Sequence, residues 1–303
     1  MVYTVTFNPA IDYVIQLDEI KTGSVNRSAA EQMFCGGKGI NVSIVLGQLE
    51  VKSRALGFTA GFTGKAIEEG VRSKGIETDF VKLPDGCSRI NVKIRSNEET
   101  EINGSGPNIP KEALDRLYEK LDALSDGDVL VLAGSIPNSL PSDVYEKILA
   151  RLSEKKIKTV VDATKDLLLN VLKYKPFLVK PNTHELGEMF GAELTNVDDI
   201  VFYAKRLKEM GAVNVLVSMA GDGAILLDEN GKLHKCGACR GTVKNSVGAG
   251  DSMVAGFIAG SQDGDYAYAL KLGTAAGGAT AFSDGLAKRE DIFELLKQLT
   301  VDS

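Results

Sequence analysis

The sequence is short of every residue class that would place it in a special environment. Four cysteines in 303 residues (Cys35, Cys87, Cys236, Cys239) are too few and too scattered for a disulfide scaffold, and they fit a reducing cytoplasm. No apolar run approaches the ~20 residues that span a bilayer, so no membrane partner is expected. The opening stretch, MVYTVTFNPAID, has no basic region followed by an apolar one, and no secretory signal is expected there. Basic charge is scarce as well: 35 Lys and Arg against 41 Asp and Glu leave a formal charge of −6. Nucleic-acid binding needs a basic footprint to displace counterions, so that class is disfavoured, whereas a few local cations can still hold a small phosphorylated molecule. Two phosphate motifs are also missing. Gly61 to Lys65 approaches G-x-x-x-x-G-K-[ST] but lacks its spacing and hydroxyl, and no G-x-G-x-x-G follows the first strand-like run.

What remains is an ordinary globular composition, 44% hydrophobic and 25% charged, with enough apolar material for a sizeable core. From about residue 108 onward, helical and β-branched stretches alternate, the pattern of a parallel β-α-β sheet. Leu114, Leu117, Leu121 and Leu124 recur at helical spacing, and Val129 to Gly134 is a continuous apolar run suited to a strand buried on both faces. Val144, Ile148 and Leu152 mark the next helix. Thr159–Asp162, Phe177–Lys180, Val213–Ser218 and Ala224–Leu227 read as further strands; 249–260, 265–283 and the segment carrying Ile292 to Leu299 read as helices. The first hundred residues differ. A strand at 1–7 and a helix at 36–49 are joined by two ribbons with no helix between their strands, Tyr13–Leu17 with Ser28–Cys35 and Ser88–Arg95 with Glu99–Asn103. We expect one α/β domain over 1–303, with a small β lid built from about 10–36 and 87–106.

Two glycine clusters carry the chemistry. In Val243 to Ser252 a β-like run stops at Gly248-Ala249-Gly250 and a helix starts at once. The first amides of a helix have no internal partners, and the helix dipole adds positive potential, so this turn can hold a phosphate or stabilise charge developing in a transition state. By sequence alone, Asp251 serves equally as a helix cap or as a general base beside that anion site. The second cluster, Gly36 to Ser43, also opens a helix, and Lys38 and Asn41 share one side of its first turn. A lysine opposes the dipole there. An anionic or polyhydroxylated ligand would account for it, and a solvated surface lysine is the plainer alternative.

Taken together and in this order, Gly36–Ser43 and Val243–Phe257 resemble the two signatures of the phosphofructokinase B family of ribokinase-like sugar kinases. The resemblance runs the length of the chain, because Asn8-Pro9-Ala10-Ile11-Asp12 and Lys180-Pro181-Asn182-Thr183-His184-Glu185 match as well. It implies a three-layer α/β/α core with a mostly parallel sheet and a small β-sheet lid. It also implies ATP-dependent transfer to a hydroxyl of a sugar phosphate. Cys87 to Ile94 with Thr100 to Gly104 is most similar to the branch that converts fructose 1-phosphate to fructose 1,6-bisphosphate; the alternative is tagatose 6-phosphate, or both sugars. A non-catalytic sugar-phosphate sensor is a remote third reading, which the intact Asp251 turn argues against.

Carried over by motif, Asp251 is the base that takes the proton of the C6 hydroxyl, and the amides of Gly248, Ala249 and Gly250 form the anion hole. Asp12, Gly37 and Asn41 are implied to hold sugar hydroxyls. Arg27, Lys38 and Arg89 are implied to hold the phosphate already present, and Ser135, after a buried strand, contacts sugar or phosphate. Lys180, Asn182, Ser218 and Gly221 or Gly223 are implied on the nucleotide side, with Glu185 organising Mg2+ through water. The small-residue helix 273–283 is expected beside the adenine, most of its small residues serving helix packing. A homodimer through the lids is also implied. Finally, His234 to Cys239 has C-x-x-C spacing with a histidine, but structural zinc wants four ligands. The segment is read as a turn between strands.

Overall fold

The computed structural model describes all 303 residues. In chain order its strands are β1 (Val2–Thr6), β2 (Ala10–Gln16), β3 (Ala30–Gly36), β4 (Ser53–Thr59), β5 (Glu77–Thr78), β6 (Val81–Lys82), β7 (Arg89–Arg95), β8 (Glu99–Asn103), β9 (Val129–Ala133), β10 (Lys158–Asp162), β11 (Leu178–Val179), β12 (Asn214–Ser218), β13 (Ala224–Leu227), β14 (Leu233–Cys236) and β15 (Val301–Asp302). Its helices are α1 (Lys38–Gln48), α2 (Gly61–Arg72), α3 (Lys111–Asp122), α4 (Val144–Arg151), α5 (Lys165–Leu169), α6 (Thr183–Phe190), α7 (Val197–Glu209), α8 (Ala249–Gly260), α9 (Tyr266–Ala281) and α10 (Arg289–Leu296). No helix is long and apolar enough to cross a membrane.

The main sheet runs β15-β14-β13-β12-β11-β10-β9-β1-β4-β5, with β6 beside the end of β4. From β12 to β5 every pairing is parallel, as the alternation of helical and apolar runs requires. Successive residues of a strand point to opposite faces. In β9, Leu130 and Leu132 enter one apolar core with α3, α4 and α7, while Val131 and Ala133 enter another with α1, α8, α9 and α10. A strand buried on both faces therefore reads as unbroken hydrophobicity. Two helical layers on one sheet make the ribokinase-like α/β/α sandwich. Leu130 and Leu132 are fully buried, and truncating such a leucine to alanine costs about 2–5 kcal/mol.

Three details differ from the sequence reading. The sheet closes with antiparallel strands: β13 and β14, because the links at 219–223 and 228–232 are too short for a crossover, and β15, which returns after α10 to pair with β14. His234 and Cys236 lie within β14 rather than in a turn. His234 Nε2 is 3.0 Å from Asp228 Oδ2, and the Cys239 thiol donates to the Thr274 carbonyl. Burial pushes the Cys239 thiol up to about 11. The 53–72 stretch, unassigned from sequence, is β4 and α2.

The lid sheet runs β3-β2-β7-β8. Its two ribbons are the antiparallel pairs β2/β3 and β7/β8, joined by a parallel β2/β7 pairing that places Asp12 beside Asn91. Beneath it, β1 has β9 on one side and β4 on the other, so the strand order reverses there. Crevices at the carboxyl ends of strands around such a reversal are where open α/β sheets bind ligands.

Candidate active site

Lid and core enclose a cleft of about 1370 Å3. Asp12, Gly37, Lys38, Asn41, Arg89, Lys180, Asn182, Glu185, Ser218, Gly221, Gly223, Gly248, Ala249, Gly250 and Asp251 all line it, although they are spread over 240 residues of sequence. Their convergence follows from the topology, since each sits just beyond a strand's carboxyl end, at a helix start, or on the lid.

At the floor, Gly248 caps α8 in the left-handed region, with φ +82°. A side chain there would be strained, and its Cβ would lie 2.7 Å from Leu286 Cδ2. This turn leaves the N–H groups of Gly248, Gly250 and Asp251 without protein acceptors, while Ala249 N–H donates to Ser246 O at 3.2 Å. The free donors are thus Gly248, Gly250 and Asp251, with Asp251 replacing Ala249 in the expected trio. The reason is local: the turn closes back on Ser246 before the helix begins.

Asp251 is only 5% exposed, and Asn41 Nδ2 donates to its Oδ2 at 2.8 Å. Burial, with Asp162 adding like charge, pushes its carboxyl up to about 6, against the pull of Lys38 and Lys180. Asp162, at the end of β10, was read only as a strand residue. The available signal was a lone carboxylate ending an apolar parallel strand. Its Oδ2 is 3.1 Å from Lys38 Nζ and its Oδ1 is 3.4 Å from Lys180 Nζ. Burial alone would raise the Asp162 carboxyl, but the two lysines outweigh it and hold it below the usual range. Lys38 is therefore ion-paired, with 41% of its side chain still exposed. Lys180 lies against the turn, since a Cβ on Gly250 would come to 3.1 Å from its Nζ.

The roof is the lid. Asn91 Nδ2 donates to Asp12 Oδ1 at 2.8 Å, and Gly36 has no side chain to obstruct that carboxylate. Arg89 is half-buried; its Nε donates to Asn8 O at 3.0 Å and no carboxylate pairs with it. Lys93, four residues beyond Arg89 on the same face, also lines the cleft and pairs with Glu101 at 3.0 Å. Asn91 and Lys93 belong to the Cys87–Ile94 run, whose resemblance implies no role for them individually. Two expected residues are elsewhere. Arg27 sits exposed in the loop between β2 and β3, and Ser135 is exposed after β9; neither lines the cleft. Beside Ser135 the chain is drawn aside at Gly134, whose carbonyl accepts from Tyr145 Oη at 3.0 Å.

On the far side, Asn182 and Glu185 form a capping box on α6: the Asn182 side chain accepts from Glu185 N–H, and Glu185 Oε2 accepts from Asn182 N–H. One Glu185 oxygen remains free at the cleft. No three His, Cys, Asp or Glu side chains gather into a metal cage. The donor set fits an ion that keeps its water and rides on phosphates, as Mg2+ does. Ser218 ends β12, and Gly221 faces open space. Gly223 has a packing role, because a Cβ there would come to 2.1 Å from Cys236 O. Gly277, Gly278 and Phe282 line the cleft, yet the small residues of α9 mainly serve its contact with α8: a Cβ on Gly273 would meet Met253 O at 2.9 Å.

A sequence model of the pfkB family carbohydrate kinases matches residues 5–291. A relative from Bacillus subtilis named 1-phosphofructokinase is 47% identical over 302 residues, 99% of each chain. A relative from Bacillus licheniformis named D-tagatose-1-phosphate kinase is 37% identical over 303 residues, again 99% of each. The crystal structure of phosphofructokinase-2 from Escherichia coli in complex with substrates and products superposes with a TM-score of 0.92, covering 98% of each chain at 24% identity, a likeness of fold.

Proposed function

The chain belongs to the pfkB family of carbohydrate kinases, and on that premise we propose that it transfers the terminal phosphoryl group of ATP to the C6 hydroxyl of fructose 1-phosphate, giving fructose 1,6-bisphosphate and ADP. The observation that carries this reading is the state of Asp251: buried, proton-hungry and facing the cleft beside three unbonded amides.

Phosphoryl transfer needs alignment and charge stabilisation more than covalent help from the protein. Asp251 accepts the C6 proton as the oxygen attacks. The N–H groups of Gly248, Gly250 and Asp251 take up charge on the moving phosphoryl oxygens, and Lys38 and Lys180 add positive potential beside them. Asp12, Gly37, Asn41 and Asn91 orient the sugar hydroxyls. Arg89, with no carboxylate partner, holds the phosphate already on the sugar, and Lys93 assists. Asn182, Ser218 and Gly221 flank the nucleotide phosphates. Mg2+, held through water by Glu185, would supply further charge to those phosphates. Closing the lid excludes water and limits ATP hydrolysis.

The lid's other face carries Ile11, Tyr13, Ile15, Ile90, Val92, Ile94 and Ile102, of which Ile90 is 42% and Ile102 60% exposed. Apolar exposure of this kind on an open sheet supports a homodimer formed lid to lid. Four free thiols support a cytoplasmic setting.

The test is ADP release with fructose 1-phosphate, tagatose 1-phosphate and tagatose 6-phosphate side by side. The highest kcat/KM is expected for fructose 1-phosphate; preference for a tagatose phosphate moves the substrate assignment, as the Bacillus licheniformis relative suggests. Absence of turnover with all three, despite tight binding, would favour a sensor.

A further inference from the structure

The floor of the cleft holds two lysines and two aspartates, and their pairing is lopsided. Lys38 and Lys180 both contact Asp162, one on each carboxylate oxygen, at 3.1 and 3.4 Å. Neither lies within 4.0 Å of Asp251, whose only side-chain partner is the neutral amide of Asn41 at 2.8 Å. Two like acids in one buried site usually divide into one that stays charged and one that readily takes a proton. Here the arrangement of the cations makes that division. Resting on the kinase reading above, we propose that Asp162 is a positioning residue: it draws both lysines away from Asp251, leaving that carboxylate without a cation and free to accept the substrate proton, and it aims the two ammonium groups toward the phosphoryl path.

The surrounding elements agree. Asp162 ends β10 and is 2% exposed; Lys38 reaches it from α1 and Lys180 from just beyond β11, so its two oxygens face two different elements. After Asp162, the carboxylate whose charge acts most on Lys38 is Asp251, ahead of Glu185, and Asp251 in turn feels both lysines. The other groups acting on the cluster are Glu185, whose charge reaches Lys38, and Tyr145, which feels the charge of Asp162. A base clamped by two ammonium groups is a weaker base, and a lysine spent on that clamp no longer faces the phosphates. The proton-transfer and charge-stabilising functions thus depend on a third group that touches neither substrate.

The experiment is the pH dependence of kcat at saturating substrates for wild type, Asp162→Asn, Asp162→Glu and Lys38→Met. The sugar phosphate's own ionisation is common to all four and cancels in the comparison. Asp162→Asn is expected to move the acid limb down by about one pH unit, because the lysines turn to Asp251, and to lower kcat about tenfold or more. Asp162→Glu keeps the charge and is expected to lower kcat while leaving the limb near the wild-type position. Lys38→Met removes a cation and is expected to move the limb up. Limbs that coincide in Asp162→Asn, Lys38→Met and wild type would overturn the proposal, however much kcat fell. Should Asp162→Asn not fold, Lys38→Met decides by the same criterion. The kinase reading itself stands or falls separately, on whether the wild type releases ADP with any of the three sugar phosphates.

Discussion

The cleft has two walls built on opposite plans. The floor comes from the ends of parallel strands and the start of α8; its two aspartates and Lys180 are buried, and both lysines pair with Asp162. The lid is a four-stranded sheet whose polar groups, Asp12, Arg89 and Lys93, are only partly buried and rest on its own neighbours. Chemistry that tolerates little misplacement is placed on rigid elements, whereas recognition of a ligand that must enter and leave is placed on an open sheet. On the proposed reading, the difference teaches that the floor gives up stability for reactivity and the lid does not.

The strongest way to break this contrast is Asp251→Asn. It keeps shape and the contact with Asn41, and is expected to lower kcat about 10³-fold with little change in either KM, measured by steady-state kinetics. Activity within a factor of ten of wild type would remove Asp251 from the reaction. Gly248→Ala comes next. It forces a side chain into the left-handed region against Leu286, so the free amides shift and kcat is expected to drop about 10²-fold. Arg89→Ala tests the other wall: the KM for the sugar phosphate should rise about 10–100-fold, with the KM for ATP unchanged. Equal losses for both would make Arg89 structural.

The smallest effect is the most pointed. The Asp251 carboxyl sits near 6 in the fold, against about 4 in an unfolded chain. The folded state therefore binds this proton more tightly, and the contribution to stability is fully present below about pH 4 and lost as pH rises through 6. At pH 7 the burial costs about 2–3 kcal/mol. Asp251→Asn is expected to raise the melting temperature by a few degrees at pH 7, the gain shrinking toward pH 4. For the wild type, activity should fall as pH drops below 6, since the base must be ionised. A lid substitution such as Lys93→Met should show no such exchange of activity for stability.

How legible was this in the sequence? The strands β9, β10 and β12 announced themselves because burial on both faces leaves an unbroken apolar run. The Gly248–Gly250 turn was legible because a left-handed cap needs glycine. Asp251 could not be told from a cap until burial and the free amides were seen. Asp162 stayed hidden, because one carboxylate at a strand end looks like a boundary residue until Lys38 and Lys180, from two other elements, close on it. Arg27 lies exposed outside the cleft of its own chain for the converse reason: a matching motif position carries no information about which way a long loop hangs. Asn182 and Glu185 turned out to serve the helix as a cap while still facing the cleft, so the plain reading is compatible with the role proposed for them.

Local pattern alone settled most strands and helices after residue 108, the parallel run of the sheet and the two glycine turns, since periodicity and backbone strain are properties of neighbouring residues. Only the tertiary structure decided which aspartate is paired and which is left reactive. That choice depends on distances between charges contributed by segments far apart in the chain, in a place from which water is largely excluded.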